Sequence, residues 1–361
     1  MLDCKASLSI LNKCFPDGTI ISVESVKALA SLWAGMGHVL EVKAQGKNGN
    51  VTVIIKHISM PTEDQSIGNM RKSASYAVEA SFYQIFSVII REFLQVNITP
   101  RCYYVDMSGQ SRNEVVICMS PLPGPVITRM REAEYTSAIR SIAMFHSCFW
   151  GTRADEAVAG GLQSQGGYWY LDTRPDEFEA MPRKGWKGRL RKAAVALDVR
   201  LKQDPCQCVI HGDLKGSNMS YSVSDDTVTF CDFQYSGKSS PMKDMAYFLA
   251  VTAPHTTPQS EQEALSLYLC VLQEHLYQHG SYSNATVGPI ETVTVPSLPE
   301  LQIALNIAYA DLYRWMVGWG CWGDTALREA KTKAVLDMLD GGKELSSSEA
   351  YCAAMLSAFP V

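Results

Sequence analysis

The feature that most constrains the fold is a pair of short apolar segments, each of which runs directly into polar residues. Residues 209 and 210 precede His-Gly-Asp-Leu-Lys-Gly-Ser-Asn at 211–218, and residues 228–231 precede Asp-Phe-Gln at 232–234. Short apolar runs bounded by polar turn residues are typical of buried strands. We therefore predict a strand pair with Asp213, Asn218 and Asp232 in the loops at its ends.

These three side chains match the needs of phosphoryl transfer. The reaction needs a carboxylate to position an attacking hydroxyl and oxygen ligands to fix Mg²⁺ on the phosphates. Asp213 is the candidate base, and Asn218 and Asp232 are the candidate magnesium ligands. Taken alone, residues 211–218 are also compatible with an ordinary turn closed by an Asx cap.

An apolar strand upstream supports the first interpretation. Residues 51–55 are Val, Thr, Val, Ile and Ile, and the strand ends in Lys56. Apolar spacing predicts a helix over residues 73–91, and this helix carries Glu79. A buried lysine needs a carboxylate partner, so we expect Glu79 to hold Lys56 beside nucleotide phosphates.

A glycine-containing segment precedes this strand. Residues 35–42 follow the pattern G-x-G-x-x-G-x-V, with Leu40 in place of the third glycine. The pattern is weak alone, but the order of turn, strand Lys, helix Glu, Asp, Asn and second Asp supports a phosphate site. The sequence has no G-x-x-x-x-G-K-[ST] motif and no acidic residue that ends a following strand in a βαβ unit. P-loop and dinucleotide-binding folds are therefore excluded.

Together these motifs resemble the small-molecule kinases with a protein-kinase-like fold: aminoglycoside phosphotransferases, choline kinases and, most closely, the ecdysteroid-kinase-like family. The resemblance extends over residues 32–322. It implies an α+β, bilobal protein-kinase-like fold, with a small antiparallel-sheet N-lobe (1–120) and a larger, mainly helical C-lobe (121–361). The segments that carry it are 76–83, 143–150, 211–218, 231–234 and 243–249.

The resemblance also implies ATP and Mg²⁺ as cofactors and a hydroxyl of a small organic molecule as acceptor. Asp213 would be the base, Lys56 and Glu79 would orient the α- and β-phosphates, and Asn218 and Asp232 would hold the metal. The other residues assigned in this way are the nucleotide contacts Gly35, Gly37, Val42 and Met119, and Asp244, which would brace the catalytic loop.

Two alternatives for the function stay open. One is a nucleotide-binding pseudokinase or scaffold that keeps the fold without the reaction. The other is a protein kinase, against which the missing A-P-E segment argues.

The acceptor site is less constrained. Helical spacing places Asp311 on the apolar face of Trp315, with Trp319 one turn further along. A cationic acceptor could bind there, with a cation–π attraction of about 0.5 to 2 kcal/mol. The alternative is an Asp311–Arg314 pair on a core helix whose tryptophans simply pack.

A second aromatic and acidic stretch, residues 167–177, contains Trp169 and Asp172. It is compatible with a lid over the acceptor or with a solvated surface loop.

Patterning predicts several further elements. Strands at 39–42 and 51–55 would form a hairpin closed by Asn and Gly, preceded by a short helix from residue 23. Residues 132–150 would form a core helix, and 160–188 a loop. We interpret His146 as a core histidine and His211 as a brace for the loop that contains Asp213.

Composition excludes several classes of protein. The 361 residues are 47% hydrophobic and carry a net charge of −5 without basic runs, so we expect neither disorder nor nucleic-acid or anionic-membrane partners. The sequence has no uninterrupted apolar span and no leader-like segment, so we expect a protein that is neither secreted nor membrane-spanning. Eleven scattered cysteines favour free thiols and a cytoplasmic location, and Cys206 and Cys208 lack a second cluster for zinc.

Overall fold

The computed structural model describes residues 2–16, 18–60, 67–107, 114–253, 256–280, 294–320 and 326–360. The chain forms two compact units. The first comprises Met1–Pro125, Gly160–Leu162 and Thr229–Gln234, and the second comprises Val126–Ala159, Gln163–Val228 and Tyr235–Val361. The sequence-based division between residues 120 and 121 did not include the two later segments of the first unit. Residue 322, where the predicted resemblance ends, lies outside the described residues.

The first unit is built on an antiparallel five-stranded sheet with the order β1-β2-β3-β5-β4. Alternate residues of β2 and β3 face a core that also includes Leu11 of α1. The elements in chain order are α1 Cys4–Cys14, β1 Ile20–Ser31, β2 Gly37–Gly46, β3 Gly49–Ser59, α2 Ile67–Ser81, α3 Ser87–Leu94, β4 Cys102–Asp106 and β5 Glu114–Met119.

The predicted β2–β3 hairpin is confirmed and is longer than expected. The short helix predicted from residue 23 is wrong, because residues 20–31 form β1 and pair with β2. Most of β1 is exposed, so its sequence lacks the regular apolar alternation that marks a half-buried strand. Helix α1 was not predicted; the Asp3 carboxylate caps its first turn by accepting from the Ala6 amide at 2.7 Å.

The helix predicted over residues 73–91 is present but is not regular throughout. Helices α2 and α3 are joined by a π-helical turn, Phe82–Phe86, in which the Ser87 amide donates to the Phe82 carbonyl. The extra residue per turn rotates α3 relative to α2. This local change in period could not be predicted from apolar spacing.

The second unit is mainly helical. Strand β6 pairs with β9, and β7 pairs with β8, whose last two residues belong to the first unit. The helices are α4 Glu132–Cys148, α5 Thr152–Ala159, α6 Pro175–Ala180, α7 Gly185–Lys202, α8 Met242–Val251, α9 Pro258–Gly280, α10 Leu298–Trp319, α11 Ala326–Asp340 and α12 Ser348–Ala358. The strands are β6 Cys208–Ile210, β7 Met219–Ser222, β8 Thr227–Phe230 and β9 Gly237–Ser239.

Two predictions for this unit need correction. The strands before the two polar loops, β6 and β8, do not pair with each other: β6 pairs with β9, and β8 pairs with β7, which directly precedes it. The stretch 160–188 is not a continuous loop, since it contains α6 and the start of α7. Helix α6 begins with Pro175, followed by two acidic residues, a favourable helix start that the sequence interpretation overlooked.

None of the helices in the described part of the chain is both long enough and apolar enough to cross a membrane.

Candidate active site

In the first unit, Lys56 lies between two carboxylates. It is near the end of β3 and only 5% exposed. Its Nζ donates to Glu79 Oε2 at 2.6 Å and to Asp232 Oδ1 at 3.1 Å. The structure therefore brings together three predicted site residues that lie 23 and 176 positions apart along the chain.

Burial and charge act in opposite directions on this cluster. Burial lowers the pKa of Lys56, but Asp232 and Glu79 more than offset it, so the pKa is raised and the ammonium stays charged. Burial raises the pKa of Glu79 to about 7, against the attraction of Lys56. The cluster therefore holds a permanent cation beside a carboxyl group that titrates near neutral pH.

Strand register decides which side chains share the face of Lys56. Residues directly opposite one another on neighbouring strands point to the same face, and Lys56 lies opposite Val39 of β2 and Ile117 of β5. Ile54 lies opposite Met119, two residues away on the same face. Around Lys56 this face thus combines apolar side chains with a buried ammonium group, as a nucleotide base and its phosphates would require.

The same register corrects the assignment of Val42. Val42 and Leu40 lie on the opposite face and are fully buried in the core cluster with Leu11 of α1. Val42 therefore cannot contact a ligand bound on the face of Lys56, and Val39 is the β2 valine on that face. The glycine pattern gives the order of the residues. It does not show which residues of the strand point to which face of the sheet, because the pattern can be placed in more than one register.

The glycine-containing segment forms a short closed turn between β1 and β2. The Leu32 amide donates to the Gly37 carbonyl at 2.8 Å, and the Gly35 amide donates to the Leu32 carbonyl at 3.2 Å. Both predicted glycines have positive φ angles, +72° at Gly35 and +127° at Gly37. Leu40 lies beyond the turn within β2, so it is a strand residue rather than a substitute for a loop glycine.

The metal-ligand candidate Asp232 is held in an unusual backbone conformation. Its φ angle is +67°, in the left-handed region that non-glycine residues rarely adopt. The next residue, Phe233, stacks on Phe82 of the π-helical turn, with ring centroids 3.7 Å apart, and meets Tyr83 edge-on. This aromatic contact fixes the segment and thereby supports the strained conformation of Asp232.

In the second unit, Asp213 is surrounded by donors from its own loop. Lys215 Nζ lies 2.9 Å from Asp213 Oδ2, and Asn218 Nδ2 lies 3.2 Å from the same oxygen. Asn218 Nδ2 also donates to the Asp213 carbonyl, and the Asp213 amide donates to His211 Nδ1 at 3.2 Å. Lys215 was missed as a site residue, although its place two residues after Asp213 could have indicated it.

Asp244 of α8 braces this loop as expected. It is fully buried and accepts from the His211 amide at 2.6 Å and from the Gly212 amide at 3.0 Å. His146 Nε2 lies 3.3 Å from Asp244 Oδ2, and Tyr268 Oη lies 2.9 Å from His146 Nδ1. His146 is thus buried, as predicted, but it also supports the loop through Asp244.

The predicted acceptor residues fall into different environments. Asp311 is fully buried, accepts from Arg314 Nε at 2.9 Å and lies 3.6 Å from Lys243 Nζ. Trp169 and Trp315 are buried in one aromatic cluster, with ring centroids 6.3 Å apart. The structure therefore brings these three predicted residues into one region of the second unit.

The other two predicted acceptor residues are exposed. Trp319 packs against Trp315 at a centroid distance of 6.1 Å but is 61% exposed. Asp172 has an exposed side chain 3.4 Å from Lys202 Nζ, as expected for a surface ion pair.

Two tyrosines connect the aromatic cluster to the Asp213 loop. Tyr168 Oη and Tyr247 Oη are hydrogen-bonded at 2.9 Å. Gly212 packs closely against Gly167, next to Tyr168, and Tyr247 lies one turn after Asp244 on α8. Burial, followed by the Asp213 charge, raises the pKa of Tyr247 well above its usual value. Tyr168 lies in the stretch 167–177 and Tyr247 in the segment 243–249, but neither tyrosine was assigned a role from the sequence.

Each of the two predicted metal ligands, Asp232 in the first unit and Asn218 in the second, has an oxygen atom of the kind that magnesium binds. Mg²⁺ prefers carboxylate, amide and phosphate oxygens and usually keeps several waters. The Asn218 amide nitrogen is used by Asp213, which leaves the amide oxygen to face a cation. Among the residues that the structure describes, no cluster of three His, Cys, Asp or Glu side chains could hold a metal by itself.

Comparisons with known proteins agree with the predicted resemblance. The family model for the Ecdysteroid kinase-like family matches residues 187–281. No curated protein sequence matches the chain significantly.

Solved structures of small-molecule kinases also align with the chain. A choline kinase from Cryptosporidium parvum Iowa II is 11% identical, with a TM-score of 0.52 over 98% of this chain and 94% of that chain. An ethanolamine kinase from Plasmodium vivax is 13% identical, with a TM-score of 0.48 over 86% and 82% of the two chains. Choline kinase LicA from Streptococcus pneumoniae is 14% identical, with a TM-score of 0.48 over 92% and 98%.

At these identities the structural likeness shows the fold, and it confirms the predicted α+β class with an N-terminal antiparallel sheet and a mainly helical C-terminal part. The predicted resemblance to the ecdysteroid-kinase-like family is thereby confirmed for residues 187–281.

Proposed function

We propose that the protein is a phosphotransferase that moves the γ-phosphoryl group of ATP to a hydroxyl group of a small organic molecule. The observation that carries this proposal is the position of Lys56, which is buried between Glu79 and Asp232. A permanent cation fixed by two carboxylates suits the orientation of nucleotide phosphates. The match to the ecdysteroid-kinase-like family over residues 187–281, which include Asp213, Asn218 and Asp232, gives independent support.

In the first unit, the proposed nucleotide contacts lie on one face of the sheet. Val39, Ile54 and Met119 would contact the base, and Lys56 would bind the α- and β-phosphates. Glu79 would keep the Lys56 ammonium in place. Gly35 and Gly37 would let the backbone turn approach the phosphates closely.

Magnesium, when bound, would neutralise charge on the phosphates, and Asp232 and Asn218 are its proposed protein ligands. Asp213 would orient the acceptor hydroxyl and accept its proton. Lys215 and Asn218 hold the Asp213 carboxylate in one orientation. Asp244 holds the loop backbone, so the carboxylate is positioned before substrate arrives.

The structure favours a neutral acceptor over the cationic one considered from the sequence. The charge of the Asp311 carboxylate is already compensated by Arg314 and Lys243, so this carboxylate is not available to pair with an ammonium group of the acceptor. The aromatic rings nearby are also covered by cations of the protein: Arg174 lies 5.2 Å from the Tyr168 ring centre and Lys243 lies 5.4 Å from that of Trp169. A neutral alcohol with an apolar body would suit this region better than a quaternary amine.

The test is an ATP-consumption screen with magnesium against neutral and cationic alcohols, followed by substitution of the base. We expect turnover with neutral alcohols, and Asp213→Asn should keep nucleotide binding while losing about 10³-fold in kcat. Asp225→Asn, an exposed aspartate, is the matched control and should retain full activity.

Near-normal turnover by Asp213→Asn would contradict the assigned base. Magnesium-dependent nucleotide binding without turnover across the whole panel would support the pseudokinase alternative instead. Phosphorylation of generic proteins would support a protein kinase.

A further inference from the structure

Gln234 lies two residues after the proposed metal ligand Asp232, and the proposed reaction gives it no role. It is buried, with 3% of its surface exposed, although glutamine is mostly a surface residue. A buried polar side chain needs partners for both ends of its amide.

Both ends of the Gln234 amide have partners in the first unit. Its Oε1 accepts from Lys72 Nζ at 2.5 Å and from Ser75 Oγ at 3.2 Å. Its Nε2 donates to Asp232 Oδ1, the oxygen that also accepts from Lys56. Gln234 therefore bridges an ammonium group on α2 to the carboxylate of the proposed metal ligand.

The chemistry of the two neighbours fixes the orientation of the amide. Reversing it would place the NH₂ group against the Lys72 ammonium and the carbonyl against the Asp232 carboxylate, two repulsive contacts. A glutamate would also face Asp232 with like charge, and a glycine or methionine would provide no donor. Only a side chain with one donor end and one acceptor end satisfies both neighbours.

The residues of α2 that meet this segment share one helical face. Lys72, Ser75, Tyr76 and Glu79 are spaced by three, four and seven residues, so they form a stripe along the helix. Ser75 and Glu79 are almost fully buried. The Tyr76 ring also contacts both lysines, with Lys72 Nζ 5.0 Å and Lys56 Nζ 5.6 Å from its centre. Helix α2 thus holds Asp232 twice, through Glu79 and Lys56 and through Lys72 and Gln234.

We propose that Gln234 is a positioning residue for magnesium, which holds the Asp232 carboxylate in its metal-binding orientation and is itself fixed by Lys72. This inference rests on the proposed function, because it concerns the metal ligand of that reaction. Groups that hydrogen-bond to metal ligands commonly change metal affinity about 10- to 100-fold when they are removed.

The experiment compares Gln234→Met, Lys72→Met and the double variant. It measures the magnesium concentration that half-saturates binding of a fluorescent ATP analogue, the binding of the analogue without magnesium, and the thermal unfolding midpoint. We expect each single variant to raise the half-saturating magnesium concentration about tenfold. The double variant should show no further increase, because Lys72 acts through Gln234.

The matched control is Gln207→Met, which removes another internal glutamine amide, bonded to the Leu201 and Asp204 carbonyls. It should lower the unfolding midpoint without changing the magnesium requirement. A purely structural role for Gln234 would give the same result as this control.

The outcomes separate the two proposals. If the wild-type protein shows no magnesium-dependent nucleotide binding, the proposed function fails. If the wild-type protein binds and Gln234→Met has the wild-type magnesium requirement, the positioning role is overturned. Independent effects that multiply in the double variant would also overturn it. If Gln234→Met does not fold, Lys72→Met still tests the proposal, because it changes a less buried side chain. A wild-type magnesium requirement of Lys72→Met would overturn the proposal.

Discussion

At the scale of single residues, the two glycines between β1 and β2 have different surroundings. A Cβ atom at Gly35 would meet no atom within 4 Å, although the φ angle of +72° is unfavourable for other residues. A Cβ atom at Gly37 would lie 2.1 Å from the His57 carbonyl oxygen of β3, and its φ angle is +127°. Gly35 is therefore required only by its backbone conformation, whereas Gly37 is also required by close contact with the neighbouring strand.

We expect Gly35→Ala to lower the free energy of unfolding by about 1 kcal/mol, the usual cost of a left-handed non-glycine residue. Gly37→Ala should lower it by about 3 kcal/mol or more, because the backbone of β3 cannot move away freely. Urea denaturation of the two variants measures the difference. Equal losses would show that the turn relaxes and that the contact with His57 does not constrain it.

At the scale of elements, the sequence predicts which residues meet better than which way they point. The Lys56–Glu79 pair could be predicted because Lys56 follows an apolar strand and Glu79 lies on a helix with clear apolar spacing. Val42 was assigned to the wrong face because a shift of one residue reverses the face of a strand. The face to which each β2 side chain points depends on where β1 ends and the turn begins. That boundary is hard to find in the sequence, because β1 is mostly exposed and has no regular alternation of apolar residues.

The contact between Glu79 of α2 and Lys56 of β3 predicts that the stability of the protein depends on pH. The pKa of Glu79 is raised to about 7 by burial, so the unfolded chain ionises before the folded protein does. Stability that the protonated carboxyl gives below pH 4.5 is then lost as the pH rises through about 7. Without magnesium, the stability of wild type relative to Glu79→Gln should fall over this range by on the order of 3 kcal/mol.

Chemical denaturation of both proteins at several pH values measures this difference. If wild type instead gained stability relative to Glu79→Gln with rising pH, attraction by Lys56 would exceed the effect of burial. A pH-independent difference would mean that Glu79 has the same pKa in both states.

At the scale of the whole molecule, polar groups far apart in sequence tie the helices of the second unit together. Arg189 of α7 donates to Asp340 of α11 through Nε at 2.8 Å and Nη2 at 2.5 Å. Tyr351 of α12 donates to the same carboxylate at 2.6 Å. No local pattern could have predicted this junction, because its members are separated by up to 162 positions and lie on helices with ordinary surface charges.

This junction predicts loss of stability in acid. Burial alone would raise the pKa of Asp340, but bonds from Arg189, Tyr351 and the Gly342 amide lower it below its usual value of 3.8. The stabilisation is therefore present above about pH 4 and is lost as the pH falls through the lowered pKa. Asp340→Asn should lower the free energy of unfolding by about 2 kcal/mol at pH 7, with the difference shrinking toward pH 3.

Asp337→Asn is the matched control, because Asp337 contacts Arg189 through one oxygen and is largely exposed. It should change stability by less than about 0.5 kcal/mol. Equal effects of the two substitutions would show that the buried carboxylate has no special role.

The chain returns to the first unit after it has entered the second, and this limits where two related proteins can be joined in a chimera. Thr229 Oγ1 and the Phe230 amide bond to the Asn97 and Ile98 carbonyls, which places residues 229–234 in the first unit although they follow the Asp213 loop. A chimera of two related genes joined near Pro125 would take Lys56 from one parent and Asp232 from the other. Gln234 and Lys72 would be separated in the same way. An exchange that keeps Lys56 with Asp232, and Lys72 with Gln234, therefore needs two further crossovers, one on each side of residues 229–234.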